Sequence, residues 1–246
     1  MRRVLPVAVL LLLLAATAGA QEVSTVIVPV AGNIIGPEAI RWMTDVELVN
    51  ETALDLDVAI ELVASPDAPA FFLTLAPGQS QRYGDLVGQA FGLDGTLSPL
   101  RITTGGRRAV TVRANAYAVR GLERSPLQPI DVYATDTYFP LRVLDGLEFS
   151  DDRRTNIGLV NFGEQDVDFV LRVQRIAGRD IAVTPLRVRG GSMVHTSIQS
   201  LFPLIAKGSG FSVVVETAAR DTHVYASVIE NETNGARFIA PRMGSR

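Results

Sequence analysis

His195 and His223 are the only two histidines in a chain of 246 residues. A histidine acts as a general base, as the partner of a nucleophile or as a metal ligand, and each role needs a second group within reach. The patterns that usually supply one are missing: the sequence holds no G-x-S-x-G, no H-E-x-x-H and no phosphate-binding glycine loop. Both histidines are therefore expected to be exposed strand residues. Carboxylates are the other source of chemistry. Asp55 and Asp57, Asp166 and Asp168, and Asp45 and Glu47 each stand two apart, which places each pair on one face of a strand. Calcium would use such oxygens, but it needs ligands converging from a loop. Only Asp151 and Asp152, in "EFSDDRR", come near that arrangement. The charges are expected to solvate sheet faces and guard sheet edges against pairing. Glycoside hydrolysis would need a carboxylate pair in a groove with aromatic platforms. Trp42 is the sole tryptophan, and Tyr83, Tyr117, Tyr133, Tyr138 and Tyr225 are scattered along the chain. With no cysteine, thiol catalysis, thiolate metal sites and disulfides are excluded. The expectation is a protein that is not an enzyme, with no catalytic, cofactor-binding or metal-binding residues and no cofactor.

The elements that carry these side chains occur twice. "MTDVELVN" ends at Asn50 and "RTNIGLVN" at Asn161, so the two stretches stand 111 residues apart. The same offset takes Asp55 to Asp166, Asp57 to Asp168 and Leu100 to Phe211. A spacing kept over most of the chain marks a duplicated unit. Within each copy, apolar and polar residues alternate. "DLDVAIEL" puts Leu56, Val58, Ile60 and Leu62 on one face, and "DVDFVLRV" does the same with Val167, Phe169, Leu171 and Val173. Period-two alternation, broken about every ten residues by Gly, Pro, Asn or Asp, predicts β-sandwiches. Val46, Leu48, Ile157 and Leu159 are expected in the core. Asp45 and Glu47 are expected on the wet face, as are Asn156 and Gly158. Asn50 and Asn161 end their strands where a side chain can bond the backbone of the following turn. Two short helices are expected as crossovers, "DLVGQAFG" from Asp85 and "SIQSLFPLIA" from Ser197, with those residues as N-caps.

The fold class that follows is all-β: two tandem immunoglobulin-like β-sandwich domains, each with one short crossover helix. Residues 1–20 read as a signal peptide: Arg2 and Arg3, an apolar run, and Ala18-Gly19-Ala20 before the cleavage point. The first sandwich takes residues 21–121 and the second 137–246. A polar, proline-rich linker spans residues 122–136. Cleavage after Ala20 would send the protein to the periplasm or the medium. The absence of cysteine points to a bacterial envelope. A net charge of −3 without a basic tract excludes a nucleic-acid partner. No stretch after the leader is long and apolar enough to span a bilayer.

Together the residues "PVAG", "W.TDVELVN", "LAPGQS", "RTNIGLVN" and "YASVIEN" resemble an uncharacterised family of secreted bacterial proteins. The resemblance implies paired immunoglobulin-like sandwich modules, with no assigned activity and no site residues to carry over. The function expected is a non-catalytic exported interaction or structural module that binds an extracellular or envelope protein or a polysaccharide. One alternative is a two-sandwich pilus-type chaperone, for which "STVIVPV" from Ser24 would be the exposed edge strand. A secreted hydrolase is the other.

Overall fold

A computed structural model describes residues 23–36, 39–106, 110–134, 139–175 and 179–244. The signal-peptide stretch and Tyr138 lie outside them. The chain is all-β, with sheets in a sandwich-like arrangement and two short helices. The N-terminal half runs β1 (Val23–Ile35), β2 (Arg41–Val49), β3 (Leu56–Leu62), β4 (Phe71–Leu75), β5 (Ser80–Tyr83), α1 (Leu86–Phe91), β6 (Thr96–Gly105) and β7 (Thr111–Arg120). Three small strands follow: β8 (Glu123–Arg124), β9 (Gln128–Ile130) and β10 (Tyr133–Ala134). The C-terminal half runs β11 (Leu141–Phe149), β12 (Arg153–Asn161), β13 (Val167–Gln174), β14 (Asp180–Val188), β15 (Ser192–Ser197), α2 (Ile198–Leu201), β16 (Gly208–Glu216), β17 (Thr222–Glu230), β18 (Ala236–Ile239) and β19 (Arg242–Met243).

The pairing scheme of one half recurs in the other. The order β4-β3-β6-β1, with β10 on β1, matches β14-β13-β16-β11-β19. The set β5-β2-β7, with β9 on β7, matches β15-β12-β17-β18. All pairs are antiparallel, and each half stacks one set on the other around its own core cluster. In the N-terminal half the two sets join, because Asn33–Ile35 of the long β1 also pair with Arg41–Met43 of β2. A bulge between Val28 and Ala31 marks where β1 bends from one layer into the other. Pro29 sits in that bulge, where its missing N–H breaks no ladder. The second strand of each half pairs with the fifth and the third with the sixth, as in an immunoglobulin sandwich. The outer strands are exchanged: here the first pairs with the sixth and the seventh with the second.

Alternation explains the core. Val46, Leu48 and Ile157 are fully buried and Leu159 nearly so. Leu56, Val58, Ile60 and Leu62 face one core, and Phe169, Leu171 and Val173 the other. Each such side chain contributes about 1.5–3 kcal/mol on burial. Asn50 and Asn161 do the same work at matching places. The Asn50 amide donates to the carbonyls of Leu54, Leu75 and Ala76, and its oxygen accepts from the Thr52 N–H. The Asn161 amide donates to the carbonyls of Gln165 and Val188, and its oxygen accepts from the Gly163 N–H. Both are fully buried, so each ties a turn to a distant strand. The helix caps are those expected: Asp85 accepts from the Gly88 N–H at 3.1 Å and Ser197 from the Ser200 N–H at 3.0 Å.

Of the stretch expected as a linker, the described residues 122–134 pair with the N-terminal half. There β8 and β9 pair with β7, β10 pairs with β1, and Ile130 enters the N-terminal core. The polar, proline-rich composition hid three strands of two or three residues each, too short to show alternation.

Candidate binding cleft between the halves

Three of the residues singled out for chemistry, Glu47, His195 and Tyr225, stand in two matching cross-strand rows. In the N-terminal half, Glu47 on β2 stands opposite Arg82 on β5 and Arg113 on β7. Arg113 donates to Glu47 at 2.9 Å, and Ser80 donates at 2.8 Å. These two bonds hold the Glu47 carboxyl below the usual carboxylate range, Arg113 most. Asp45, expected in water, is 2 % exposed. Arg82 covers it at 2.9 Å, so a buried carboxylate is matched by a cation lying over it.

In the C-terminal half the equivalent row is His195–Gly158–Tyr225. The charges are gone, and the central residue has lost its side chain. The reason is steric. A Cβ on Gly158 would stand 2.0 Å from a Tyr225 ring carbon, so only glycine lets the ring lie flat across β12. The Tyr225 hydroxyl meets His195 Nδ1 at 2.8 Å. Tyr225 and Val160 then belong to the core cluster of the N-terminal half, with Phe162, Met193 and Phe238 packed against it. The outer face of this sheet is thus the face on which the two halves meet.

Both histidines depart from the expectation of exposed strand residues, because the faces that carry them are covered by the other half. His195 is half-buried in the junction, and burial pushes its pKa down to about 4. His223 is 8 % exposed, and its ring lies 4.1 Å from that of Tyr133 across the junction. Burial first, and the charge of Arg142 second, push it down to about 3. Both imidazoles are neutral at pH 7. Burial also raises the Tyr133 and Tyr225 phenols well above their ordinary value. Arg101 adds a polar link between the halves, donating to the Phe162 carbonyl at 3.1 Å.

Beside this row lies a cleft of about 350 Å³ built by both halves. The N-terminal half supplies apolar wall: Val30, Ile34, Trp42, Leu97 and Ile130. The C-terminal half supplies Ile229 and Phe238 and a small polar patch, Asn156, Ser227 and His195. Register explains the patch. Asn156 on β12 is directly opposite Ser227 on β17, and Gly158, two residues on, is opposite His195. All three therefore project from the same face of one sheet. Thr44 also lines the cleft, but its hydroxyl accepts from the Gly32 N–H at 2.9 Å. Arg154, at the edge, donates to Asn231 at 2.6 Å. Few polar groups in a mostly apolar concavity is the usual composition of a ligand site.

The other candidates are dispersed. Asp57 accepts from the Thr74 hydroxyl at 2.6 Å, and Asp168 takes a two-pronged Arg187 at 2.8 Å on each oxygen. Asp166 accepts from the Gly190 N–H, and Asp151 meets Lys207. Among the described residues no three His, Asp or Glu side chains come together as a metal would need. Tyr117 donates to the Gly84 carbonyl, with Arg124 over its ring at 3.6 Å. Tyr83 stands edge-on to Phe71 at 5.8 Å. The strand from Ser24 is covered along one side by β6, while on the other β10 pairs with Val26 and Ile27 and β2 pairs only farther on, at Asn33–Ile35. Sequence reasoning missed Asn156 and Ser227 as site residues and set His195 on an exposed strand face. The signal lay in Gly158, a glycine inside a strand, with a tyrosine and a histidine where the other copy has arginines.

No known protein family matches the chain, and no curated protein is similar to it. Among solved structures it is similar to beta-glucuronidase 2 of Bacteroides uniformis covalently bound to cyclophellitol-6-carboxylate aziridine, at 9 % identity and a TM-score of 0.18. It is likewise similar to a beta-glucuronidase of Bacteroides uniformis at 8 % identity and a TM-score of 0.18. Each likeness covers 82 % of this chain, which spans only 25 % of the length of those enzymes. Similarity at that level carries neither fold nor activity across. Among the described residues no helix is long and apolar enough to cross a membrane.

Proposed function

We propose that the chain is an exported, non-catalytic binding module of two tandem immunoglobulin-like sandwiches. Its role is to hold an envelope or extracellular protein or polysaccharide, and the cleft between the halves is where it does so. The observation that carries this is the composition of the cleft: apolar walls from both halves and three polar groups converging from one sheet face. The leader-like residues 1–20 support export. The repeated pairing scheme supports an origin by duplication. A hydrolase would need an activated base. The two histidines lie in the junction instead, where burial makes them weaker bases, His195 against a phenol and His223 against a tyrosine ring. A pilus-type chaperone would need a long open edge at β1, where β6 holds one side and β10 takes up Val26 and Ile27 on the other.

The test is capture from the cell's own envelope, comparing the mature protein with Leu97→Arg, which puts a charge into the cleft. The expected result is a reproducible partner held by the first and lost by the second. Hydrolytic turnover abolished by His195→Ala would contradict the proposal, as would capture that Leu97→Arg leaves unchanged.

A further inference from the structure

We infer that the junction cleft takes a neutral amphiphile: a mainly apolar body carrying a hydrogen-bonding end without formal charge. This rests on reading the cleft as the binding site and goes on to name its ligand class.

The walls decide the body of the ligand. Trp42, Leu97, Ile130 and Phe238 face the open volume, and open apolar concavities of this kind favour apolar surface. Trp42 is fixed in place by backbone: Gly36 lies over its indole so closely that a Cβ there would be 3.3 Å from the ring. At about 350 Å³ the space is near the small end for ligand pockets and suits one small molecule or one terminal group of a larger one.

The polar patch decides the end. Asn156 can both donate and accept, and the Ser227 hydroxyl can do the same. The His195 ring uses Nδ1 on Tyr225, which leaves Nε2 as its second hydrogen-bonding atom. These groups lie on adjacent strands within one register step. A carbonyl, hydroxyl or amide can therefore bond two of them at once.

Charge decides the rest. Among the described residues no carboxylate lines the cleft, so a cation finds no partner among them. Arg154, the one cation among the described lining residues, already donates to Asn231. An anion would have to compete for it and then lie in an apolar space, which is costly. A neutral end loses less on leaving water.

The experiment uses N-phenyl-1-naphthylamine, a neutral apolar fluorophore with one N–H, and the mature protein. Trp42 is the only tryptophan, so its quenching reports on the cleft directly. Saturable binding with Trp42 quenching is expected, abolished by Leu97→Arg and weakened about three- to tenfold by Asn156→Ala. Phe72→Ser is the control: Phe72 is 72 % exposed on a separate surface, and its loss should change nothing. If Leu97→Arg does not fold, Asn156→Ala and Ser227→Ala carry the test, and both should weaken binding. The inference is overturned if binding survives Leu97→Arg or is lost with Phe72→Ser. It is also overturned if neither polar variant matters, or if the anionic 8-anilinonaphthalene-1-sulfonate binds more tightly than the neutral probe. Should the probe fail while envelope capture still depends on Leu97, the ligand class falls and the binding role stands.

Discussion

Single residues show the division of labour most sharply. Asn50 and Asn161 are structural, and the prediction for them is equal. Replacing either with Ala takes a donor from one buried carbonyl, Leu75 or Val188, and breaks the bonds to the neighbouring turn, and should cost about 1–3 kcal/mol, read from urea unfolding. Gly158 is a different case, because its role depends on one neighbour. Gly158→Ala should destabilise by several kcal/mol, since the methyl would collide with the Tyr225 ring. In a Tyr225→Ala background the same change should be close to neutral. A double-mutant cycle on thermal or urea unfolding measures that coupling, and additive effects would contradict the steric account. The histidines predict pH dependence. Each binds its proton less readily in the folded chain than in the unfolded one, so stability falls as pH drops below about 6.5. The loss runs on to about pH 4 for His195 and about pH 3 for His223. The slope is at most about 1.4 kcal/mol per pH unit for each histidine. Carboxylates held low by arginines, such as Glu47 by Arg113 and Asp168 by Arg187, add their own loss only in the more acid range. His195→Gln should therefore flatten the stability profile between pH 4.5 and 6.5, by roughly half the slope.

At the scale of elements, alternation and turn chemistry were enough to place the main strands. Leu56 to Leu62 and Phe169 to Val173 face inward as their spacing requires, and Asp85 and Ser197 cap the helices. What the sequence could not show is which wet face meets water. A polar or small residue on an outer face reads the same whether solvent or a second sheet lies beyond it. That is why His195, His223, Asn156 and Gly158 passed as surface residues. Asp45 misled for another reason: Arg82 crosses from the neighbouring strand to cover it, and pairing between strands is invisible in a linear chain. β8, β9 and β10 were hidden by brevity. The outer strands of each half also trade places relative to an immunoglobulin sandwich, a matter of pairing that alternation does not encode.

For the whole molecule, the differences between the two copies gain a physical meaning. One copy keeps a charged row, Arg82–Glu47–Arg113, and the other replaces it with His195–Gly158–Tyr225. The charged face stays wet; the uncharged one packs into its neighbour and leaves the cleft beside it. Much of that difference goes into joining the halves, and the cleft is what the join leaves open. A fragment of residues 139–246 should give a β-type circular dichroism spectrum. It should also bind 8-anilinonaphthalene-1-sulfonate more than the full chain does, because Val160, Met193 and Tyr225 lose their cover. A predominantly helical spectrum would contradict the architecture. The central claim is that the cleft is the place of recognition. Its most direct test is photo-crosslinking in living cells, with p-benzoylphenylalanine in place of Trp42 inside the cleft or of Leu204 on open surface, which is 99 % exposed. The account predicts one dominant adduct from position 42 and none from position 204; no adduct at 42, or the same adducts from both positions, would contradict it.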